Sequence, residues 1–259
     1  MTLMGFLSLG KHKCMKMNIE KPLLEKERIQ VIDLIKGIDI VFMVMFNYSV
    51  TLAYFRLIPM PSNYIYRYIF PISIASVFIF MSGVTSIISY EKNKEKLTRK
   101  YFIRGIKLLF FAALITLFSY VFVPQYTIFF GILHFFAVSS FLIPFFIKYN
   151  KLNLIAGLSI ILSGVCLQQQ TFNFSYLSWL GFVPETISTF DYFPLIPWFG
   201  VILLGVYYGR YIIEKTAKIR FKGEISNIFT FLGKHSLTVY LFHQPVLILL
   251  LIAFGFKLF

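Results

Sequence analysis

The chain has 259 residues, of which 58% are hydrophobic, 19% aromatic and only 14% charged, with a formal net charge of +14 and a mean hydropathy of +0.76. That balance excludes a soluble globular enzyme and a disordered polycation, and it predicts an all-α, polytopic transmembrane helix bundle. Nucleic acid is not the partner that the charge implies, because the basic residues are spread over several connections and are not gathered on one soluble face.

Residues 1–27 carry Lys11, Lys13, Lys16, Lys21 and Lys26 and read as a loose cytoplasmic tail drawn to anionic lipid. Their apolar start, MTLMGFLSLG, has no basic segment before it and no cleavage site behind it, so it is not read as a signal peptide. Residues 28–259 form one domain, since no period of 20–50 residues repeats. Apolar runs of about 20 residues give roughly seven spans, at 35–55, 69–90, 103–123, 128–147, 152–170, 195–213 and 236–256, with room for an eighth half-span. Basic residues collect before the first span, around 92–107, at Lys148 and Lys151, and from Arg210 to Lys222; these connections all fall on one side of a seven-span chain. The positive-inside rule then places the N-terminus in the cytoplasm, and the expected location is the plasma membrane.

The first span carries Asp33, Lys36, Asp39 and Asn47 on one helical face, a polar stripe running inward from the cytoplasmic edge. Asp33 and Lys36 alone are explained by an interfacial i,i+3 ion pair; Asn47, followed by Tyr48 and Ser49, is not. His134, in GILHFFAVSSF, falls near the outer end of the fourth span, where a histidine serves helix packing as readily as catalysis. The connection 171–194 has no lysine or arginine and holds Trp179, Glu185 and Asp191 among aromatics, which suits either a re-entrant lid or an interfacial belt. Gly205 and Gly209, and Gly157 and Gly164, are packing signals. Cys14 and Cys166 receive no role, and no metal-ligand spacing occurs. In the last span, His235 sits near the cytoplasmic start while His243 and Gln244 lie deeper, where an imidazole and an amide need protein or water partners and therefore mark a functional cavity. His243 is the strongest candidate for acid–base work, because imidazole exchanges a proton near neutral pH.

RIQVIDLIKGIDIVFMVMFNYS, FPISIASVFIFMSGVTSI, GILHFFAVSSF, FDYFPLIPWFGVILLGVYYGR and LGKHSLTVYLFHQP follow one another within a stretch from about Arg28 to Leu247. In that order they resemble the motifs of prokaryotic membrane proteins related to the catalytic domain of heparan-alpha-glucosaminide N-acetyltransferase. The resemblance implies a multi-pass acyltransferase that takes an acetyl group from acetyl-CoA at the cytoplasmic side and delivers it to an amino sugar, glycan or lipid-linked acceptor on the far side. Asp33, Lys36 and Gly37 match the family's Asp-x-x-Arg-Gly, with lysine in place of arginine, and Asn47 and Tyr48 match the Asn-Tyr of the animal enzymes. Those enzymes also have a histidine after the first span, and 55–68 here contains none. Its part would fall to His134 or His243.

Acyl transfer to an amine needs a base, a donor to the developing oxyanion and a site shielded from water. The sequence therefore offers His243 as base with His134 or Asn47 as the donor. Arg99, Lys100, Arg104 and Lys107 are cofactor-side residues, because coenzyme A brings phosphates, and the resemblance adds Asp33 and Lys36 to that side. Asp191, Trp198 and Gln244 are the acceptor-side residues. Partners are membrane lipids, acyl-CoA and the acceptor; a homodimer is allowed. The rival readings are a small-solute permease in which the same polar residues line a path, and an inactive relative that binds coenzyme A or lipid.

Overall fold

The computed structural model describes residues 29–256; the tail 1–27, with Cys14, and Lys257 lie outside them. Its helices in chain order are α1 (Gln30–Tyr54), α2 (Phe70–Lys92, entered through a π-helical turn at Ile65–Ile69), α3 (Leu97–Phe122), α4 (Ile132–Phe146), α5 (Asn150–Leu167), α6 (Leu195–Thr216), α7 (Glu224–Lys234) and α8 (Ser236–Ala253). Among the described residues there is no strand, only the isolated bridges Phe130–Tyr192 and Phe172–Pro184. Among the described residues five segments are long and apolar enough to cross a membrane: Ile65–Lys92, Leu97–Phe122, Asn150–Leu167, Leu195–Thr216 and Ser236–Ala253. Two of the seven expected spans differ for physical reasons. The 25 residues of α1 include Asp33, Lys36 and Asp39, and α4 has only 15 residues, about 22 Å of helix against a hydrocarbon layer of about 30 Å.

Side chains sort by environment as they do in a bundle surrounded by lipid. Ile79, Val84, Ile202, Leu203 and Phe135 are fully enclosed, whereas Phe110, Leu117, Val121, Ile155 and Leu162 point outward. Small residues set the close approaches. A Cβ on Gly83 would meet the Ile202 carbonyl oxygen, and one on Gly205 would meet the carbonyl oxygen of Phe80, so α2 and α6 pack backbone to backbone. Gly200 and Gly157 do the same for α6 and α5. Near the start of α6, Ile196 is extended (φ −97°, ψ 120°), as the residue before a proline prefers.

The last apolar span lies where expected, at Ser236–Ala253, but the connection before it differs. Residues 224–234, read as part of a connection, form α7, and His235 (φ −108°, ψ 19°) breaks the chain into α7 and α8. This pair runs parallel to α1 in nearly constant register. Gln30 donates to the Phe221 carbonyl (2.9 Å) and to Ser226 Oγ (3.4 Å), Tyr48 to the His243 carbonyl (2.9 Å), and Thr51 pairs with Gln244 (3.1 Å). Between these points Gly37 lies against the Phe229 carbonyl and Gly233 against the Asp33 carbonyl. His235 is the N-cap of α8 and so stands at the start of the last apolar span, Ser236–Ala253, as expected, but the 11 residues of α7 precede it. The element escaped notice because Glu224, Ser226, Asn227, Thr230 and Lys234 interrupt its apolar run, while Ile225, Ile228 and Phe231 form its exposed face.

Candidate active site

His243 is buried on α8. Its Nδ1 lies 2.5 Å from the Tyr240 carbonyl of the preceding turn. A carbonyl only accepts, so Nδ1 carries the proton and Nε2 keeps its lone pair. Nε2 is buried and has no hydrogen-bond partner among the described residues. The ring is held from the α1 side, where Tyr48 stacks on it at a centroid distance of 6.2 Å and an interplanar angle of 19°. The Thr51–Gln244 pair fixes the next residue.

Asp191 approaches the same region from the connection before α6. The first turn of α4 has no side-chain cap of its own, and its N-cap is Gly131. Asp191 Oδ2 accepts the Ile132 amide at 2.9 Å, capping α4 from 59 residues away. A Cβ at Gly131 would meet that oxygen, so glycine makes room for the carboxylate. The backbone bond from Phe193 to the Phe130 carbonyl (2.9 Å) seats the connection there. Tyr240 OH donates to the same carboxylate oxygen at 3.5 Å, and the Tyr240 and His243 rings are 5.5 Å apart. Burial pushes the Asp191 carboxyl up to about 6, against the pull of the Ile132 amide and the Tyr240 hydroxyl. Asp191, Tyr240, His243 and Tyr48 thus form one connected cluster linking α4, α8 and α1.

Towards the basic end of the bundle an open cleft of about 480 Å³ runs along α3 and reaches α8. Lys96, Arg99, Lys100, Arg104 and Lys107 line it with Ile103, Leu108, Phe111 and Leu237. Among the described residues no carboxylate lines it. Lys100 donates to Ser89 Oγ (3.0 Å) and Arg104 lies over the Tyr101 ring. None of the five cations is bridged to an acidic side chain among the described residues, where Glu91 takes Lys94 and Arg210 instead. Leu237 also bounds a second, smaller void of about 20 Å³ with Phe78, Ile132, Leu133, Phe136 and Tyr240. The cleft and the Tyr240–Asp191–His243 cluster are thereby neighbours across one leucine.

A family profile described as "Heparan-alpha-glucosaminide N-acetyltransferase, catalytic" matches residues 28–245. The chain belongs to that family. No curated protein and no solved structure matches it. Membership in the heparan-alpha-glucosaminide N-acetyltransferase family makes it a multi-pass membrane protein of a transferase family whose general donor is acetyl-CoA.

With the family established, the residues singled out in the sequence fall into separate groups. His243 and Asp191 are joined through Tyr240 in the cluster, Gln244 is paired with Thr51 on α1, and Arg99, Lys100, Arg104 and Lys107 come together in the cleft. The others are engaged elsewhere. His134 Nε2 shares a hydrogen bond with Thr116 on α3 (3.3 Å). Asn47 donates to Met43 Sδ of its own helix (2.7 Å). Trp198 packs on Phe193 (5.0 Å), and Lys36 donates to Thr85 on α2 (3.3 Å), so neither Lys36 nor Asp33 lines the cleft. Neither the cleft nor the smaller void is lined by His134, Asn47 or His243. Tyr240 and Leu237 were missed in the sequence. The signal for Tyr240 is its place one helical turn before His243, which puts both on one face. Among the described residues no group of three metal-ligating side chains occurs.

Proposed function

We propose that this protein is an acetyl-CoA-dependent integral-membrane acetyltransferase of the plasma membrane. Its basic end and N-terminus face the cytoplasm, and it acetylates an amino group of an extracytoplasmic sugar, glycan or lipid-linked acceptor. The observation that carries the reading is a cleft whose five cations have no acidic partner among the described residues, separated by Leu237 from a void bounded by Tyr240, which in turn touches the buried imidazole of His243. The unbridged cations fit a polyphosphate donor, since charge-assisted bonds to phosphate are the strong ones. Arg99, Lys100, Arg104 and Lys107, joined by Lys96, would hold the phosphates of acetyl-CoA. When bound, acetyl-CoA supplies an activated thioester acyl group.

The chain's own residues do the rest. The cationic acceptor first releases one proton to solvent to become the free amine; His243 Nε2 takes the second as the nitrogen forms its bond to the acyl carbon, and passes it to the thiolate that leaves when the carbon–sulfur bond breaks. The Tyr240 carbonyl holds the tautomer that keeps Nε2 basic. Asp191, on the outer connection, receives the cationic amino sugar by charge. Apolar walls exclude water from the thioester.

The experiment is transfer of labelled acetyl from acetyl-CoA to a panel of amino sugars by purified protein in detergent, with free thiol followed in parallel. Acetylated sugar appearing with stoichiometric thiol supports the reading. Absence of both coenzyme A binding and turnover rejects it.

A further inference from the structure

The void beside the cleft has a size with chemical meaning. Its volume is about 20 Å³, where about 10–15 Å³ measured with a water-sized probe holds one water. It therefore takes a group as large as a methyl and little more. Its walls are Phe78 from α2, Ile132, Leu133 and Phe136 from α4, and Leu237 and Tyr240 from α8, so every lining group but the tyrosine is aliphatic or phenyl. The two phenylalanines meet edge to face at 5.7 Å, and Leu133 and Phe136 are almost completely buried. Leu237 belongs to both the void and the basic cleft, and Tyr240 joins the void to Asp191 and His243.

From this placement we infer that the void is the acyl seat of the donor and that Phe78, Leu133 and Phe136 limit the transferred group to two carbons. The inference rests on the acyl-CoA reading given above and adds the specificity that the cleft alone does not carry. The cleft binds what all coenzyme A thioesters share, the phosphates. Discrimination between thioesters must come from where the acyl tail goes, and this void is a tail-sized apolar space that shares Leu237 with the cleft. A methyl fills it. Each further methylene must displace a ring or side chain in a packed interior, and a methylene in such a pocket is worth roughly tenfold or more in selectivity.

The test is competition for bound, labelled acetyl-CoA on the purified full chain, with acetyl-, propionyl- and butyryl-CoA and free coenzyme A as competitors, so that no acceptor is needed. Wild-type protein is expected to prefer acetyl- over butyryl-CoA by roughly tenfold or more. Phe136→Leu and Phe78→Leu are expected to raise the relative affinity for propionyl- and butyryl-CoA by roughly tenfold, a gain that misfolding does not produce. Leu133→Val, a single methylene smaller, is the variant to use if the phenylalanine variants do not fold, and it should admit propionyl-CoA. Equal competition by acetyl- and butyryl-CoA in wild type, or unchanged preferences in the folded variants, overturns the acyl seat and leaves the acyl-CoA reading standing. No labelled acetyl-CoA bound to wild type overturns both.

Discussion

His243 has its proton placed by its own helix: the Tyr240 carbonyl takes Nδ1–H and leaves Nε2 as the basic atom. Replacing His243 by alanine is expected to lower acetyl transfer by roughly 10²–10⁴-fold while size-exclusion behaviour stays that of wild type; undiminished transfer would move the base elsewhere. Asp191 makes a second prediction through its pKa. The folded carboxyl titrates near 6, above the usual carboxylate value of about 3.9, so the folded chain binds more protons than the unfolded chain between these values. Stability contributed by this group is thus present at low pH and lost as pH rises through about 6. Asp191→Asn keeps an acceptor for the Ile132 amide and should flatten the dependence of Tm on pH between about 4 and 6. Thermal unfolding of the two proteins across that range gives the comparison. At this scale His243 stood out in the sequence because an imidazole is costly at bilayer depth, and Asp191 because it is a carboxylate in a connection without lysine or arginine; its contact with the start of α4 was not legible. Tyr240 was not legible, because a tyrosine in an apolar helix carries no such cost and gains its meaning only from Asp191, which is 49 residues away.

The elements meet through missing side chains. Gly37 and Gly233 let α1 and α7 touch backbone to backbone, and a methyl at either would strike a carbonyl oxygen. Gly37→Ala and Gly233→Ala should each cost about 3 kcal/mol, read as lowered Tm in detergent. Arg56→Ala, outside these contacts, serves as the neutral control. On α3 the cleft cations recur at helical spacing, which turns one face of the helix into a phosphate-sized positive strip. Lys100→Glu with Arg104→Glu should weaken acetyl-CoA binding by at least tenfold. The wild-type affinity should fall as salt rises, because exposed charge is screened within about 10 Å at 0.1 M ionic strength. A Kd unmoved by both would remove the cleft as the phosphate site. The sequence placed α2, α3, α5, α6 and α8 by their apolar runs, but α7 has no such run. Its helix is held by packing against α1, a contact between segments nearly 200 residues apart in the chain.

In the whole molecule the basic cleft opens at the end of the bundle where α1 begins, and the connection bearing Asp191 arrives from the other. If these ends face cytoplasm and exterior, single cysteines at Ser175 and Lys96, in a chain with Cys14 and Cys166 changed to serine, should label in opposite ways. A membrane-impermeant maleimide added to intact cells is expected to reach position 175 and to reach position 96 only after lysis; the reverse pattern would invert the direction of transfer. By itself the sequence determined the solvent of the protein, its helical class, the clustering of positive charge and the family, because each follows from side-chain composition read along one dimension. Tertiary structure decided which polar residues meet. It turned His134 towards Thr116 and Asn47 towards Met43, drew Asp191 onto the bare N-terminus of α4, and set Leu237 between cleft and cluster. Those outcomes depend on the rotation and depth of each helix, which close glycine contacts fix across the bundle and which no local stretch of the chain encodes.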